Sequence, residues 1–503
     1  MEHIKKILRS AGIVFFGMVF ARLVGYFFRI IVARTDIELY GLYNLAFVII
    51  SFIMPFIMFG LDEGILRYVS FYHGKKDKEK ADIIISTALK IVLPLSILVC
   101  LILFFYSDFI AGFFHTKNLS IFLKFFAFLI PIIVLSNIFS SILKAHKKVA
   151  ASIIAKEFLE SLLRLLIIIL SFYFGYRLLG VVSGFLIANI IALIILFFSS
   201  KKLFHFRLKG FHKKLLTFSL PILFSSIIWL IIVHTDTLML GYFTNIKEVA
   251  LYSAVVPTAQ FLFIFAISFL SIFLPTITEQ YAKNENVKNT YNIVTKWIIL
   301  TTLPFALIMI LFSNKILLGL FGQEYSVAGF SLSILAFSYF FYAFSQPAEN
   351  VLVMMKKTML RFYFILISFV INIILNLILI PRFDRLYGHG MYGAAVATGL
   401  SFLVLTIFNL KFSYKYTKIM VFNRNYLKIL SAAILSFLII YMIQKLFIEQ
   451  TIWHLISFFI SIIILYFVFL ILFKALDEHD KLIFKMIKEK TNGKNLINRN
   501  NFK

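Results

Sequence analysis

Apolar residues in this chain come in long unbroken runs, neither alternating nor confined to one helical stripe. About fourteen of these runs reach the roughly 18–20 residues that a helix needs to cross a hydrocarbon core. They lie near 10–32, 39–61, 83–106, 119–143, 153–174, 178–199 and 215–240, then 249–274, 293–312, 327–355, 359–380, 391–412, 427–447 and 452–473. They are rich in Leu, Ile and Phe and lack the strict alternation of a lipid-facing β-barrel strand. The prediction is an all-α polytopic membrane protein of about 14 transmembrane helices. The connections between runs are short, mostly under about 16 residues, and leave no room for an inserted soluble domain.

The pattern also repeats. At an offset of about 209 residues, Thr35-Asp36-Ile37-Glu38 and Leu42-Tyr43-Asn44 fall on Thr244-Asn245-Ile246-Lys247 and Leu251-Tyr252-Ser253. Tyr72 falls on Tyr281, and Lys147-Lys148 on Lys356-Lys357. The offset then slips to about 213, where 180–184 meets 393–397, and the extra residues fit the loop 381–390. Three segments follow: a first six-helix half (1–210), a second half related to it by a parallel repeat (211–426), and two further helices with a basic tail (427–503). A membrane protein of two similar halves is the pattern of alternating-access transport, with substrate held between the halves.

Composition and charge sharpen this picture. Hydrophobic residues make up 61% of the 503 residues and charged residues 15%, outside the balance of a soluble domain. The formal net charge of +27 would suit a nucleic-acid binder, but the placement of the 50 Lys and Arg argues otherwise. With a cytoplasmic N-terminus, about 34 of them lie in loops on that side and about 7 in the opposite loops. Both termini are therefore expected in the cytoplasm, in a multi-pass protein of the plasma membrane. The basic segments 75–80, 201–214, 411–428 and 474–503 are expected to lie against anionic lipid headgroups, part of the tail as an amphipathic helix or as a solvated extension. The first run is too long for a signal-peptide core and is read as retained. A single cysteine, Cys100, excludes a disulfide frame or redox pair.

Charges inside the runs need a reason, because each costs at least about 2.5–3.5 kcal/mol near the bilayer centre. Arg22 and Arg29 are seven residues apart on one helical face, with Arg22 roughly 18 Å into the span. They read as a cationic cavity wall for an anionic head group or as partners in an interhelical ion pair; Arg29 also has the option of snorkelling. Lys156, Glu160 and Arg164 form a ladder at spacings of four, beside Glu157, which is either self-neutralised or opens through Arg164 to a cavity. Lys124 is a further candidate for that cavity, while Lys90 is near enough to the cytoplasmic end to snorkel. Asp62 and Glu63 precede Arg67, and a Glu63–Arg67 pair across one turn would act as a lock or gate. Asp236, near His234, is a candidate for binding a coupling H⁺ or Na⁺, or an interfacial anchor. Asn372 and Asn376 read as glue between helices. Pro55, Pro94, Pro131, Pro221, Pro257, Pro304 and Pro347 mark sites of kinking. Neither a His-Glu-x-x-His run, a Gly-rich phosphate loop nor a Gly-x-Ser-x-Gly elbow occurs, so no catalytic residue or metal ligand is assigned.

Several stretches resemble the oligosaccharide flippase (polysaccharide transporter) branch of the multidrug/oligosaccharidyl-lipid/polysaccharide exporter superfamily. They are Ala33-Arg34 with Tyr40-Gly41-Leu42-Tyr43-Asn44, the stretch from Gly60-Leu61-Asp62-Glu63-Gly64 to Arg67-Tyr68, Asp236 with Leu240-Gly241 and Leu251-Tyr252-Ser253-Ala254, and Leu274-Pro275. Asn372 to Leu377, followed by Ile380-Pro381 and Tyr392-Gly393-Ala394-Ala395-Val396-Ala397-Thr398, is the most specific. The resemblance implies two six-helix bundles around a central cavity and a flippase, not an enzyme. It would move a polyprenyl-(pyro)phosphate-linked glycan to the outer leaflet, alongside the enzymes that assemble the glycan. Of the candidate residues, Arg67 and Asp236 lie in the matching motifs; Arg22, Arg29, Lys124 and Arg164 rest on the physical argument. No cofactor is expected beyond a coupling H⁺ or Na⁺. A cation-coupled drug or metabolite antiporter, a peptidoglycan-precursor flippase and a glycan-joining membrane enzyme are the competing readings.

Overall fold

A computed structural model describes residues 20–419, 424–445 and 452–475. The rest of the first span, the end of the thirteenth and the charged tail lie outside the described residues. All of the described secondary structure is helical. In chain order the elements are α1 (20–35), α2 (Ile37–Met58), α3 (Leu61–Gly74), α4 (Lys78–Phe105), α5 (Ser107–Phe113), α6 (Leu119–Ala127), α7 (Leu129–Ala145) and α8 (Val149–Ile153). A π-helical stretch (Ile154–Leu159) leads into α9 (Glu160–Tyr173), followed by α10 (Arg177–Ser200), α11 (Lys213–Phe243), α12 (Ile246–Ala282), α13 (Lys288–Leu311) and α14 (Ser313–Phe321). A 3₁₀ turn (Gln323–Ala328) precedes α15 (Gly329–Met354), and α16 (Thr358–Tyr387), α17 (Gly390–Thr417), α18 (Arg424–Lys445) and α19 (Ile452–Leu472) complete the chain.

The described part of each of the fourteen predicted runs is predominantly helical. Among the described residues nine helices are long and apolar enough to cross a membrane, and α6 with α7 makes a tenth span bent by 42°. That bend has a local cause. Pro131, in the first turn of α7, has no N–H for the carbonyl of Ala127, so the ladder breaks where α6 ends. At the end of α2 the chain turns through Phe59 and Gly60, both left-handed (φ 55° and 69°). Glycine is required at the second position. A Cβ on Gly60 would lie 2.7 Å from the Ser219 carbonyl oxygen, and one on Gly64 would lie 2.6 Å from Leu215 Cδ1. The glycines of the Gly60–Arg67 motif therefore let α3 dock closely on α11.

Helix starts repeat as the sequence does. Asp36 caps α2 by accepting from the Leu39 N–H at 3.0 Å, and Asn245 caps α12 by accepting from the Glu248 N–H at 3.1 Å. Thr35 Oγ donates to the Ile31 carbonyl and Thr244 Oγ to the Leu240 carbonyl. Lys147 and Lys356 take the same left-handed turn, φ 61° and 59°.

The chain divides into two compact units. One comprises Met1–Pro257, Leu320–Ser331 and Asn372–Ala397; the other comprises Thr258–Gly319, Leu332–Ile371 and Thr398–Lys503. In the first unit, α2 crosses the α11–α12 turn closely. A Cβ on Gly41 would lie 2.3 Å from the Ile246 carbonyl oxygen, and the Tyr40 hydroxyl donates to the Ser253 carbonyl at 3.1 Å. Segment 201–212 lies along α4. The N–H groups of His205, Arg207 and His212 donate to Asp82 Oδ1 (3.1 Å), Ser86 Oγ (2.8 Å) and Thr87 Oγ1 (3.2 Å). Lys90 Nζ reaches the carbonyls of Leu208 (2.5 Å) and Gly210 (3.2 Å), so its charge is spent on this segment instead of snorkelling. In the second unit, α18 and α19 dock on α13 through Tyr426 and Tyr466. Their hydroxyls donate to the Asn292 and Leu300 carbonyls, both at 3.2 Å, above an apolar core that includes Tyr291, Ile429 and Leu470.

Candidate functional site

Two polar clusters lie among the membrane helices of the first unit. The first is cationic and is built on α1, α2, α9 and α10. Helix α9 begins after the π-helical stretch, whose extra residue per turn displaces the ladder from regular 3.6-residue spacing. Lys156, in that stretch, is drawn to Asn137 of α7. Arg164 and Glu160 remain on one face and pair at 3.3 Å, with side chains 16% and 17% exposed. Asn189 of α10 adds a 3.4 Å hydrogen bond to the same Glu160 oxygen. The Arg164 guanidinium is packed between rings, 4.6 Å from the centre of Phe185 and 5.4 Å from that of Phe28, and its buried Nε finds no acceptor among the described residues. Arg29 lies within electrostatic reach of Tyr40, Tyr43 and His234, and Tyr43 lies within reach of Arg164 and Glu160. The ladder is thus partly self-neutralised, with donor capacity left on Arg164.

The second cluster is built around a carboxylate. Asp236 of α11 accepts from the Tyr252 hydroxyl at 2.6 Å through Oδ2. Its Oδ1 accepts from Asn376 Nδ2 at 2.7 Å and Asn372 Nδ2 at 3.3 Å. Asn376 Nδ2 also reaches Asn372 Oδ1 at 3.1 Å, and Asn376 Oδ1 is buried without a protein partner. The two asparagines therefore glue α16 to α11 by converging on the carboxylate. All three of these donors are uncharged, and the buried Asn376 Oδ1 has no hydrogen-bond partner among the described residues.

Other candidates stand elsewhere. Arg22 is exposed, with no ion-pair partner among the described residues. Lys124 is not in the cationic cluster: it pairs with Asp108 at 2.9 Å at an exposed site on α5 and α6. Ser120 and Lys124 together hold the Asp108 carboxyl below the usual carboxylate range. The expected Glu63–Arg67 pair does not form. Both side chains are exposed, and the Arg67 guanidinium sits 4.2 Å from the centre of the Phe218 ring on α11. A ring face that desolvates little competes well with an exposed carboxylate one turn away. Asp62 is half-buried on the same short helix. The contact between α3 and α11 is therefore glycine packing plus a cation over a ring.

Sequence reasoning passed over Asn137, Asn189, Tyr43 and Tyr252 as parts of these clusters. The two tyrosines carried a usable signal, since they match across the repeat and each flanks a charged residue in space.

This two-unit, all-helical architecture with charged centres inside apolar helices matches a known family. The model of polysaccharide biosynthesis proteins covers residues 7–281, more than half of the chain, and the MatE model covers residues 221–378. The chain belongs to the polysaccharide biosynthesis protein family. It is a multi-pass membrane transporter within the multidrug/oligosaccharidyl-lipid/polysaccharide exporter superfamily. An uncharacterized membrane protein of Methanocaldococcus jannaschii is 25% identical over 84% of this chain and 87% of its own length. A probable low-salt glycan biosynthesis flippase of Haloferax volcanii is 27% identical over 37% of this chain and 38% of its own length. The fold is like that of a lipid II flippase, MurJ, in an inward closed conformation, with a TM-score of 0.72 at 19% identity, covering 92% of this chain and 98% of that one. In this family setting the cationic cluster falls in the segment matched by the polysaccharide model, and Asp236 with Asn372 and Asn376 in the segment matched by the MatE model.

Proposed function

We propose that this transporter moves a polyprenyl-(pyro)phosphate-linked oligosaccharide or polysaccharide repeat unit from the cytoplasmic to the outer leaflet of the plasma membrane, by alternating access. The observation that carries the reading is Arg164. It is a largely buried guanidinium that, among the described residues, has one carboxylate partner and no acceptor for its Nε, in a cluster with Arg29. A cation placed deep in an apolar span is favourable only if an anion compensates it, and a phosphate linker is such an anion. The glycan-flippase relative supports the same substrate class. Arg22 would extend the cationic wall along α1, and the α3–α11 contact at Asp62, Glu63 and Arg67 would act as a gate. Asp236 would bind the coupling H⁺ or Na⁺, its charge held in place by Tyr252, Asn372 and Asn376. Enzymes that build the lipid-linked glycan would supply the substrate, and both termini would face them in the cytoplasm.

The test is reconstitution into liposomes with a fluorescent polyprenyl-pyrophosphate oligosaccharide, following its accessibility to an outside glycosidase. Protein-dependent movement is expected, reduced in Arg22→Ala and Arg164→Ala at equal insertion. The Asp236 cluster also favours a second reading, a cation-coupled drug or metabolite antiporter, because it lies in the MatE-matched segment. Counterflow of an organic cation driven by a Na⁺ or H⁺ gradient, with no glycan movement, would select it.

A further inference from the structure

The repeat places Ser140 and Ser152 opposite Glu349 and Arg361 at the same offset, and both pairs are in contact. Ser140 and Ser152 hydrogen-bond through their hydroxyls at 2.6 Å. In the second unit, Arg361 Nε donates to Glu349 Oε1 at 2.5 Å. A neutral contact between helices in one half is thus a charged one in the other.

The surroundings of that charged contact are built to orient the arginine. The Glu349 side chain, on α15, is 5% exposed. Its Oε2 accepts from Gln346 Nε2 at 2.9 Å and from Asn409 Nδ2 of α17 at 3.5 Å. Asn409 is fully buried and its Oδ1 has no partner, so the amide is committed by its nitrogen to the carboxylate. Arg361, in the first turn of α16, is different: its side chain is 46% exposed. Only Nε is tied down, and neither Nη nitrogen has a protein acceptor among the described residues. A buried carboxylate that fixes Nε leaves the planar fork facing outward, a geometry matched to two phosphate oxygens. Lys356 and Lys357, exposed on the turn just before α16, add positive charge beside the fork, as does the positive end of the helix itself.

We propose that Arg361 is a phosphate-binding residue at the start of α16, with Glu349 as its positioning residue, and that it takes a phosphate group carried by a lipid. This rests on the lipid-linked glycan reading for which lipid matters most. The phosphate can belong to the polyprenyl carrier or to an ordinary anionic phospholipid, and the chemistry of the fork is the same for both. The site is distinct from Arg164, and on the proposed topology it lies at the cytoplasmic ends of its helices, where a carrier lipid would arrive.

The experiment titrates the purified full chain with farnesyl pyrophosphate and, separately, with short-chain phosphatidylglycerol, reading thermal stabilisation and native mass spectra. Arg361→Gln should weaken binding of at least one of them about tenfold. Because that change strands a buried carboxylate, the double variant Arg361→Gln/Glu349→Gln is measured alongside. It keeps a neutral contact like Ser140–Ser152 and should bind as weakly. Glu349→Gln alone should weaken binding about threefold, and Glu349→Asp should restore it. Loss for the pyrophosphate alone assigns the fork to the carrier, and loss for phosphatidylglycerol alone assigns it to bulk lipid. Unchanged binding of both ligands in the double variant would overturn the proposal. Glycan flipping by the wild type, read in the same preparation, separates that failure from failure of the functional reading.

Discussion

Tyr43 and Tyr252 occupy matching positions in the two halves, yet their surroundings differ in sign. Tyr43 sits among Arg29, Arg164 and Glu160, whereas Tyr252 donates its hydroxyl to Asp236. At the same offset, Asp236 corresponds to Phe27, Asn372 to Leu163 and Arg164 to Ile373. Each half therefore kept the helical frame, its caps and its turns, and placed charge where the other has an apolar residue. The frame is set by backbone needs that both copies share; the chemistry is set by a few side chains that they do not. In a transporter this separates two tasks. On the proposed function, the cationic cluster would meet an anionic substrate, and the carboxylate that Tyr252, Asn372 and Asn376 donate to would take the coupling cation.

The sharpest break of this contrast is Asp236→Asn. It removes the carboxylate charge and nearly preserves the packing volume. Reconstituted transport should lose its dependence on the Na⁺ or H⁺ gradient, with initial rates at least about a hundredfold lower, a change of roughly 2.7 kcal/mol in the coupled step. Retained gradient dependence would remove Asp236 from the coupling role. On the cationic side, Arg164→Gln should lower glycan flipping at least tenfold, about 1.4 kcal/mol. It leaves Glu160 unpaired, so Arg164→Gln/Glu160→Gln is the companion that separates folding from binding. If the double variant is as stable as wild type and transports normally, Arg164 does not touch substrate.

A finer comparison uses the tyrosines. Tyr252→Phe deletes a hydrogen bond to a charged group, worth about 1.5–3 kcal/mol, and should shift the half-saturating concentration of the driving cation by about tenfold or more. Tyr43→Phe should leave that concentration unchanged, so equal responses would erase the distinction between the clusters. Lys124→Ala stands at the small end. Its partner Asp108 is exposed, and neither transport rate nor thermal midpoint should move measurably when scanned beside wild type.

The architecture was legible in the sequence because hydrocarbon thickness imposes a run length that composition alone reveals. The bend at Ala127 could be read from Pro131, and the caps from Asp36 and Asn245. Side-chain pairing was less legible, since it depends on neighbours far away in the chain. Arg164–Glu160 could be anticipated because both lie on one helix, four residues apart. Lys124 could not be placed, because Asp108 sits in a short helix that the hydrophobic pattern does not announce. The Glu63–Arg67 pair has the right spacing, but Phe218 offered Arg67 a better surface. Asp236 was recognisable as unusual, whereas its convergence with Asn372 and Asn376 joins residues about 136–140 positions apart.

The segment 201–212 carries one more consequence. A tandem duplication leaves a joint where the end of one copy was fused to the start of the next, and such joints usually persist as slack. Here the joint is held by the preceding repeat: Asp82, Ser86, Thr87 and Lys90 of α4 grip its main chain. The grip is made by side chains of one copy on backbone of the seam, so it would survive a nick in the seam itself. The seam is thereby part of the first compact unit, which runs on without a break to Pro257.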